Sequence, residues 1–102
     1  MKEADLSREI QIEASNKYGA RIFRNNVGLF NTLDGRKIRT GLCEGSSDLI
    51  GWTKDGRFLA IEVKKPKGFR RLSQKNFIEQ VNKSGGIGFF AYSAEDLKEH
   101  LS

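Results

Sequence analysis

The chain has little of the chemistry on which several protein classes depend. Its 102 residues include one cysteine, Cys43, and one histidine, His100. A lone cysteine excludes an internal disulfide and is typical of a reducing compartment. One thiol and one imidazole are also too few for a structural zinc site, which takes several such ligands. Any metal ion that the protein binds is therefore expected to be a hard cation held by oxygen atoms.

Long apolar runs and a targeting segment are also missing. No apolar stretch approaches the roughly 18 residues that suggest a membrane span. The first five residues are mostly charged and do not form the apolar centre of a signal peptide. The hydrophobic share of 37% and the charged share of 30% are ordinary for a soluble globular protein. We therefore expect a single domain over residues 1–102, located in the cytoplasm, with one modest core.

Acidic residues are outnumbered by basic ones, which leaves a net charge of +5. The excess is concentrated, because residues 64–75 carry six basic side chains and no acidic one. Smaller basic groups occur at Arg21 and Arg24 and over residues 36–39. Solvated surface charge would also produce such groups, but a basic stretch that begins beside carboxylates fits contact with a phosphate backbone better.

The spacing of apolar residues predicts alternating helices and strands. Helices are predicted over residues 5–18, over residues 73–84 with Ser73 as the cap, and from residue 94 onward. Strands are predicted at residues 20–24, 48–52, 58–64 and 87–92. Residues 29–40 contain Asp34-Gly35 and suggest a hairpin, but their weak apolar content favours a flexible arm outside the core. The order α-β-(β arm)-β-β-α-β-α indicates an α/β fold with a mixed sheet flanked by helices.

Two carboxylates and an amine are predicted to meet on neighbouring strands. Asp55-Gly56 separates two of these strands, and an Asp-Gly pair in this position favours a tight hairpin. If the chain reverses there, Asp48 falls opposite Glu62 or one residue out of register. Glu62 and Lys64 are two residues apart on one strand, so their side chains point to the same face. The three side chains would form a phosphate-cleaving site of the magnesium type.

The hydrolysis of a phosphodiester needs a nucleophilic water and neutralisation of the phosphate charge, and a carboxylate-bound divalent cation supplies both. Asp48 and Glu62 suit such a cation, and the Val63 carbonyl offers a further oxygen. Lys64 would orient the water or stabilise charge on the phosphate, whereas a role as general base would require a lowered pKa. Taken separately, Asp48 could be a turn residue at the start of a strand, and Glu62 and Lys64 could form an exposed ion pair. An acid and an amine that alternate within an apolar central strand are, however, partly buried, and the burial of charge destabilises the fold unless it serves a function.

These residues stand in an ordered set of motifs that resembles the PD-(D/E)XK nuclease superfamily, and within it the VRR-NUC family of virus-type replication-repair nucleases. The motifs are a helix with Glu9, then Arg24 to Gly28, Gly45 to Leu49, Glu62 to Lys64, a basic linker, and Leu72-Ser73-Gln74. The resemblance covers roughly residues 5–95 and implies a restriction-endonuclease-like core. Ser47 departs from the pattern, because the superfamily usually has proline before the aspartate. The shortened spacing before Gln74 leaves the glutamine assignment open.

The chemistry of the residues and the resemblance together imply roles for individual residues. The expected metal ligands are Glu9, Asp48, Glu62 and Val63. The expected catalytic residues are Asp48, Glu62, Lys64 and Gln74. The residues expected to contact DNA are Arg24, Asn26, Lys65, Lys67, Arg70 and Arg71. Glu9 would complete the metal site directly or through water, with Glu13 as the alternative, and Gln74 would hold Lys64 or the phosphate.

The function expected from these residues is a small DNA endonuclease that uses Mg²⁺ or Mn²⁺. Because the chain offers little surface for base readout, recognition by shape is expected more than recognition by sequence. Stand-alone members of the resembled family look like dimers acting on branched DNA, which implies a homodimer on four-way (Holliday) junctions and a phage or bacterial source. No membrane and no small-molecule cofactor is expected. The alternatives are a non-catalytic nucleic-acid-binding module, a restriction-type nuclease acting on duplex DNA, and an archaeal-type junction resolvase of the same fold.

Overall fold

A computed structural model describes residues 2–102, and it places helices on both faces of a mixed β-sheet. The helices are α1 (Glu3–Tyr18), α2 (Leu72–Lys83) and α3 (Leu97–Leu101). The strands are β1 (Arg21–Arg24), β2 (Gly28–Asn31), β3 (Lys37–Thr40), β4 (Leu49–Trp52), β5 (Phe58–Val63) and β6 (Ile87–Ala91). The predicted fold class and element order are confirmed. Within the described residues, a membrane-crossing helix is not found.

The main sheet has four strands in the order β1-β4-β5-β6. The pairs β1/β4 and β4/β5 are antiparallel, whereas β5 and β6 are parallel and are joined through α2. β5 therefore lies inside the sheet, and five of its six residues are buried. This position explains why β5 has the most apolar sequence of the strands, since both of its faces are covered.

The alternation of side chains along β5 separates two layers of core. Leu59, Ile61 and Val63 join the larger layer, to which α1 contributes apolar residues at spacings of four. These α1 residues are Leu6, Ile10 and Ala14. On the other face, Ala60 packs with two buried residues of α2. Glu62 shares the face of Ala60, so a carboxylate stands where the alternation would otherwise place another apolar side chain.

The two hairpins turn on the same pattern, Thr-x-Asp-Gly-Arg. The Thr53 N–H donates to the Arg57 carbonyl at 2.8 Å, and the Gly56 N–H donates to the Thr53 carbonyl at 2.9 Å. The turn that begins at Thr32 repeats both hydrogen bonds at 2.7 and 3.1 Å. Gly35 and Gly56 both have a φ of 84°, a left-handed conformation that glycine adopts without strain. The Asp-Gly pairs therefore mark both reversals of the chain.

Strands β2 and β3 form a separate two-stranded sheet, which we call the arm (residues 28–40). The arm is a paired hairpin, as Asp34-Gly35 suggests, and it lies outside the core, as its weak apolar content predicts. Its base is held to the body by the Thr40 hydroxyl, which donates to the Asn26 carbonyl at 2.9 Å. Gly41 has a φ of 87°, and a Cβ there would lie 2.8 Å from the Val27 Cα. Only a glycine allows this close approach.

The start of α2 differs from its predicted position. The helix begins at Leu72, and its N-cap residue is Arg71. The prediction that Ser73 caps this helix is wrong, because Ser73 lies within its first turn; the Gln74 side chain instead reaches back to the N-cap residue. Its Oε1 accepts a hydrogen bond from the Arg71 N–H at 3.2 Å. α1 ends as predicted, with Gly19 as its C-cap at a φ of 70°.

Candidate active site

The register of β4 and β5 brings the two predicted carboxylates together. Leu49 pairs with Ile61, and one further step along the ladder puts Asp48 directly opposite Glu62. Residues directly opposite each other in an antiparallel pair share a face. Asp48 and Glu62 also line one cavity with Lys64, which we call the carboxylate cavity; its volume is about 630 Å³.

The backbone of β5 fixes the orientation of the Asp48 side chain. The Val63 N–H donates a hydrogen bond to Asp48 Oδ2 at 3.1 Å. The predicted role of the Val63 carbonyl as a metal ligand stays a prediction, and the N–H contact is compatible with it because the N–H and carbonyl of one strand residue point to the same side. The Val63 side chain is buried in the larger core layer. Val63 therefore positions Asp48 through its main chain.

Glu62 is a buried carboxyl group, and one of its oxygens has no hydrogen-bonding partner among the described residues. Its side chain is 3% exposed, and its Oε2 is a buried oxygen that accepts no hydrogen bond within residues 2–102. Burial, and then the neighbouring Asp48 carboxyl, raise the pKa of Glu62 to about 9, against a smaller lowering by Lys64. A buried carboxylate without a partner is costly, and a proton or a bound cation would remove that cost.

The third acidic side chain at this cluster comes from the first turn of α1. Glu3 lines the carboxylate cavity, and its charge contributes to the raised pKa of Glu62. Glu9 is exposed, and neither Glu9 nor Glu13 is among the described residues that line a cavity with Asp48. Glu9 lies about 9 Å further along the helix than Glu3 at the usual rise per residue. The structure therefore does not bring Glu9 to the carboxylate pair, whereas Glu3, which is also exposed, lines the same cavity as the pair.

The donor atoms at the cluster suit a hard divalent cation. They are carboxylate oxygens, and the buried Glu62 Oε2 lacks any other partner. Over the described part of the chain, no three or more acidic, histidine or cysteine side chains are gathered closely enough to hold an ion alone. Mg²⁺ usually binds through only one or two carboxylates, and waters and substrate oxygens complete its coordination. The pair of Asp48 and Glu62 fits such an open site better than a closed protein cage.

The N-terminal end of α2 forms another wall of the carboxylate cavity. Arg71, Ser73 and Gln74 line it together with Lys64. Gly45 allows α2 to come this close, because it has a φ of 81° and a Cβ there would lie 2.8 Å from the Ser73 Cβ. Gln74 is thus placed where the family resemblance implies, although its Oε1 is engaged at the helix start. The N-terminus of a helix also favours a negatively charged phosphate.

Asn25 holds the loop that leads into Asp48. Its buried Nδ2 donates to the Ser46 hydroxyl and to the Ser47 carbonyl, both at 2.8 Å. Its Oδ1 accepts a hydrogen bond from the Leu42 N–H at 2.8 Å, and its own N–H donates to the Asp48 carbonyl at 2.7 Å. The sequence indicated only a turn at Asn25-Asn26. The position of Asn25 in the motif from Arg24 to Gly28 was the signal from which its role at the site could have been predicted.

Ser47 stabilises the same loop at the position where the resembled superfamily usually has proline. Its side chain is fully buried, and its hydroxyl donates to the Leu49 carbonyl at 2.8 Å. A proline would restrict the backbone through its ring. Ser47 instead fixes the entry to β4 with a hydrogen bond, so the departure from the usual pattern leaves Asp48 well positioned.

Three of the residues predicted to contact DNA lie close to the carboxylates. Arg71 lines the carboxylate cavity. Arg24 and Asn26 line a second cavity that also reaches Asp48. Arg39 of the arm was not predicted, yet it lines the carboxylate cavity too. The basic group at residues 36–39 was its only sequence signal.

The other predicted DNA contacts lie farther from the site. Lys65 and Lys67 are exposed on the loop between β5 and α2 and line neither cavity that Asp48 reaches. Arg70 is engaged within the protein, because its guanidinium lies 4.2 Å from the Phe90 ring centroid. Its Nε also donates to the Tyr92 hydroxyl at 2.7 Å. The structure does not bring Arg70 to the carboxylates.

Comparison with known proteins points in one direction. The family model described as the VRR-NUC domain matches residues 4–95. This span includes Asp48, Glu62 and Lys64, and it leaves out only the ends of the chain. No curated protein matches the sequence significantly.

Proposed function

The chain belongs to the VRR-NUC family of nucleases, and from this membership we propose that it is a metal-dependent DNA endonuclease. The metal ion would be Mg²⁺ or Mn²⁺, held by Asp48 and Glu62 and, through water, by Glu3 on the wall of the same cavity. The observation that supports this proposal most is the buried Glu62 oxygen, which accepts no hydrogen bond from the described residues and faces a second carboxylate. Such an arrangement is costly for the fold and useful for binding a cation.

The residues around the pair have separable tasks in this proposal. When bound, the ion lowers the pKa of its water and offsets the charge of the phosphate. The Val63 N–H keeps the Asp48 carboxylate in one orientation. Lys64 places its ammonium group on the same face and stabilises the negative charge that develops on the phosphate oxygens. Gln74 would orient Lys64 or the phosphate from the start of α2.

Basic residues on several elements would neutralise the DNA backbone. Arg71 and Arg39 line the carboxylate cavity, and Arg24 lines the second one. Lys65 and Lys67 would extend this surface along the loop before α2. The net charge of +5 favours association with a polyanion in general. Arg70 is left out of this set because its guanidinium is engaged with aromatic side chains.

We propose further that the substrate is branched DNA, such as a four-way junction, and that the enzyme acts as a homodimer. Both statements rest on the family resemblance. Two protomers related by a two-fold axis would present two sites, each of which cuts one strand of a symmetric junction. Light scattering coupled to gel filtration would report the mass of the assembly directly.

We expect the purified chain to cut DNA only when a divalent ion is present. The test incubates it with continuous duplex, a flap and a four-way junction, each with Mg²⁺, with Mn²⁺ and with a chelator. The expected result is cleavage with either ion, fastest on the junction. Undiminished cleavage in the chelator would contradict the metal site, and equal rates on all substrates would contradict the structure selectivity. Binding without any cleavage in either ion would favour the non-catalytic module.

A further inference from the structure

The second cavity beside Asp48 has the size of a small-molecule site. Its volume is about 580 Å³, which lies within the usual range of ligand pockets. Arg24, Asn26 and Phe30 line it, and so does Asp48, which also lines the carboxylate cavity. The two cavities therefore meet at the carboxylates, and a chain of nucleotides cut at that point would continue into one or both of them. We call this second space the Phe30 cavity.

Phe30 gives this cavity an exposed aromatic wall. The residue is 58% exposed, although large aromatic side chains are usually buried. Its ring lies against Gly28, so close that a Cβ at Gly28 would be 2.8 Å from the ring Cε2. Gly28 is not among the glycines with a positive φ. The missing side chain, and not an unusual backbone, is what allows the contact, so the ring is held beside the cavity by the arm itself.

The polar side chains of the Phe30 cavity complement a nucleotide. Arg24 is a cation that pairs well with phosphate. The Asn26 side chain has both donor and acceptor groups for the edge of a base. An aromatic face next to a cation is the combination with which proteins bind single-stranded nucleic acids. A base inside a continuous duplex has both faces covered by its neighbours, so only an unpaired or flipped base can stack on Phe30.

We propose that the Phe30 cavity binds an unpaired nucleotide next to the phosphate that is cut, with its base stacked on Phe30 and its phosphate at Arg24. The inference rests on the proposed function, since the carboxylates define where the cut phosphate lies. It makes Phe30 the residue that selects DNA in which a base at the cutting position is unpaired or can leave its pair, as at the branch point of a junction. Continuous duplex lacks such a base and would leave the cavity unused.

Fluorescence without metal tests the stacking directly. A 2-aminopurine base is placed in turn at each unpaired position of a branched duplex, and binding is followed in a chelator. The wild type is expected to quench the probe at one position, and Phe30→Trp retains this quenching because it keeps an aromatic face. Phe30→Ala and Phe30→Leu lose it. Equal quenching by the wild type and Phe30→Ala at every position overturns the proposal.

Cleavage selectivity is the second readout, measured as the rate on DNA with an unpaired base divided by the rate on continuous duplex. Phe30→Ala is expected to lower this ratio about tenfold, which is the usual scale for loss of one base–aromatic stack. Gly28→Ala lowers it as well, because the added methyl group displaces the ring. Leu33→Ala is the matched control at the exposed tip of the arm, and it leaves the ratio unchanged.

The two readouts separate this inference from the proposed function. If no DNA is cut with any ion, but the probe is quenched in a Phe30-dependent way, the endonuclease proposal fails and the nucleotide site stands. If DNA is cut and Phe30→Ala leaves both the ratio and the quenching unchanged, the nucleotide site fails and the endonuclease proposal stands. Because Phe30 is exposed, its variants are expected to fold, and circular dichroism checks this.

Discussion

Replacement of Asp48 by asparagine is expected to lower the DNA cleavage rate by about a thousandfold, near the upper end for loss of one group that stabilises charge in a transition state. Asparagine has nearly the same shape, and its side-chain oxygen can still accept the hydrogen bond that Val63 donates to Asp48. What Asp48→Asn removes is the negative charge that holds the cation. The fold should therefore persist while the activity is lost, as measured by initial rates on a labelled junction in Mg²⁺.

Asp55→Asn is the matched control for this experiment. Asp55 is an exposed aspartate in the turn at the other end of the β4–β5 hairpin. The same change of charge there should leave the cleavage rate close to that of the wild type. A similar loss in both variants would mean that general charge, and not the carboxylate site, controls cleavage. Activity in Asp48→Asn above about a tenth of the wild-type rate would equally contradict the assignment.

Replacement of Glu62 by glutamine is expected to stabilise the metal-free protein at neutral pH. The fold raises the pKa of Glu62 from its ordinary value of 4.5 to about 9. The folded state therefore keeps a proton that the unfolded state releases above pH 4.5. The stability of the wild type is full below that pH and falls as the pH rises toward about 9. Glutamine carries no such cost, so the difference at pH 7 should be on the order of 3 kcal/mol.

Urea unfolding in a chelator at several pH values between 5 and 9 measures this difference. The gap between Glu62→Gln and the wild type should widen with pH and nearly close at the acidic end. Adding Mg²⁺ should stabilise the wild type more than the variant, because ion binding favours the folded state. Glu79→Gln, an exposed helix residue paired with Lys83, should show no comparable gap. Parallel pH curves for the wild type and Glu62→Gln would rule out a strained carboxylate at this position.

Local patterns in the sequence were enough to predict the strands that carry the site. The two Asp-Gly turns, the alternation of Glu62 and Lys64, and the apolar run of β5 depend on neighbours in the chain, and the structure confirms these elements. The sequence left the register open between two possibilities. The pairing of Leu49 with Ile61 decides it, because it puts Asp48 opposite Glu62.

Contacts between distant segments could not be predicted in the same way. The periodicity of α1 identifies its buried face, but it does not say which end of the helix meets the edge of the sheet. The family resemblance implied Glu9, with Glu13 as the alternative, whereas Glu3 lines the cavity that holds the carboxylates. The buried hydrogen bonds of Asn25 and the engagement of Arg70 with β6 likewise join segments about twenty residues apart. Only the folded chain brings such groups within reach.

Calorimetric titration of Mn²⁺ into the wild type and into the double variant Asp48→Asn/Glu62→Gln tests directly whether these two carboxylates bind the ion. A saturable binding heat is expected for the wild type and none for the double variant, with both proteins folded. The same heat and affinity in both proteins would contradict this expectation, as would a wild type that binds no ion at millimolar concentrations.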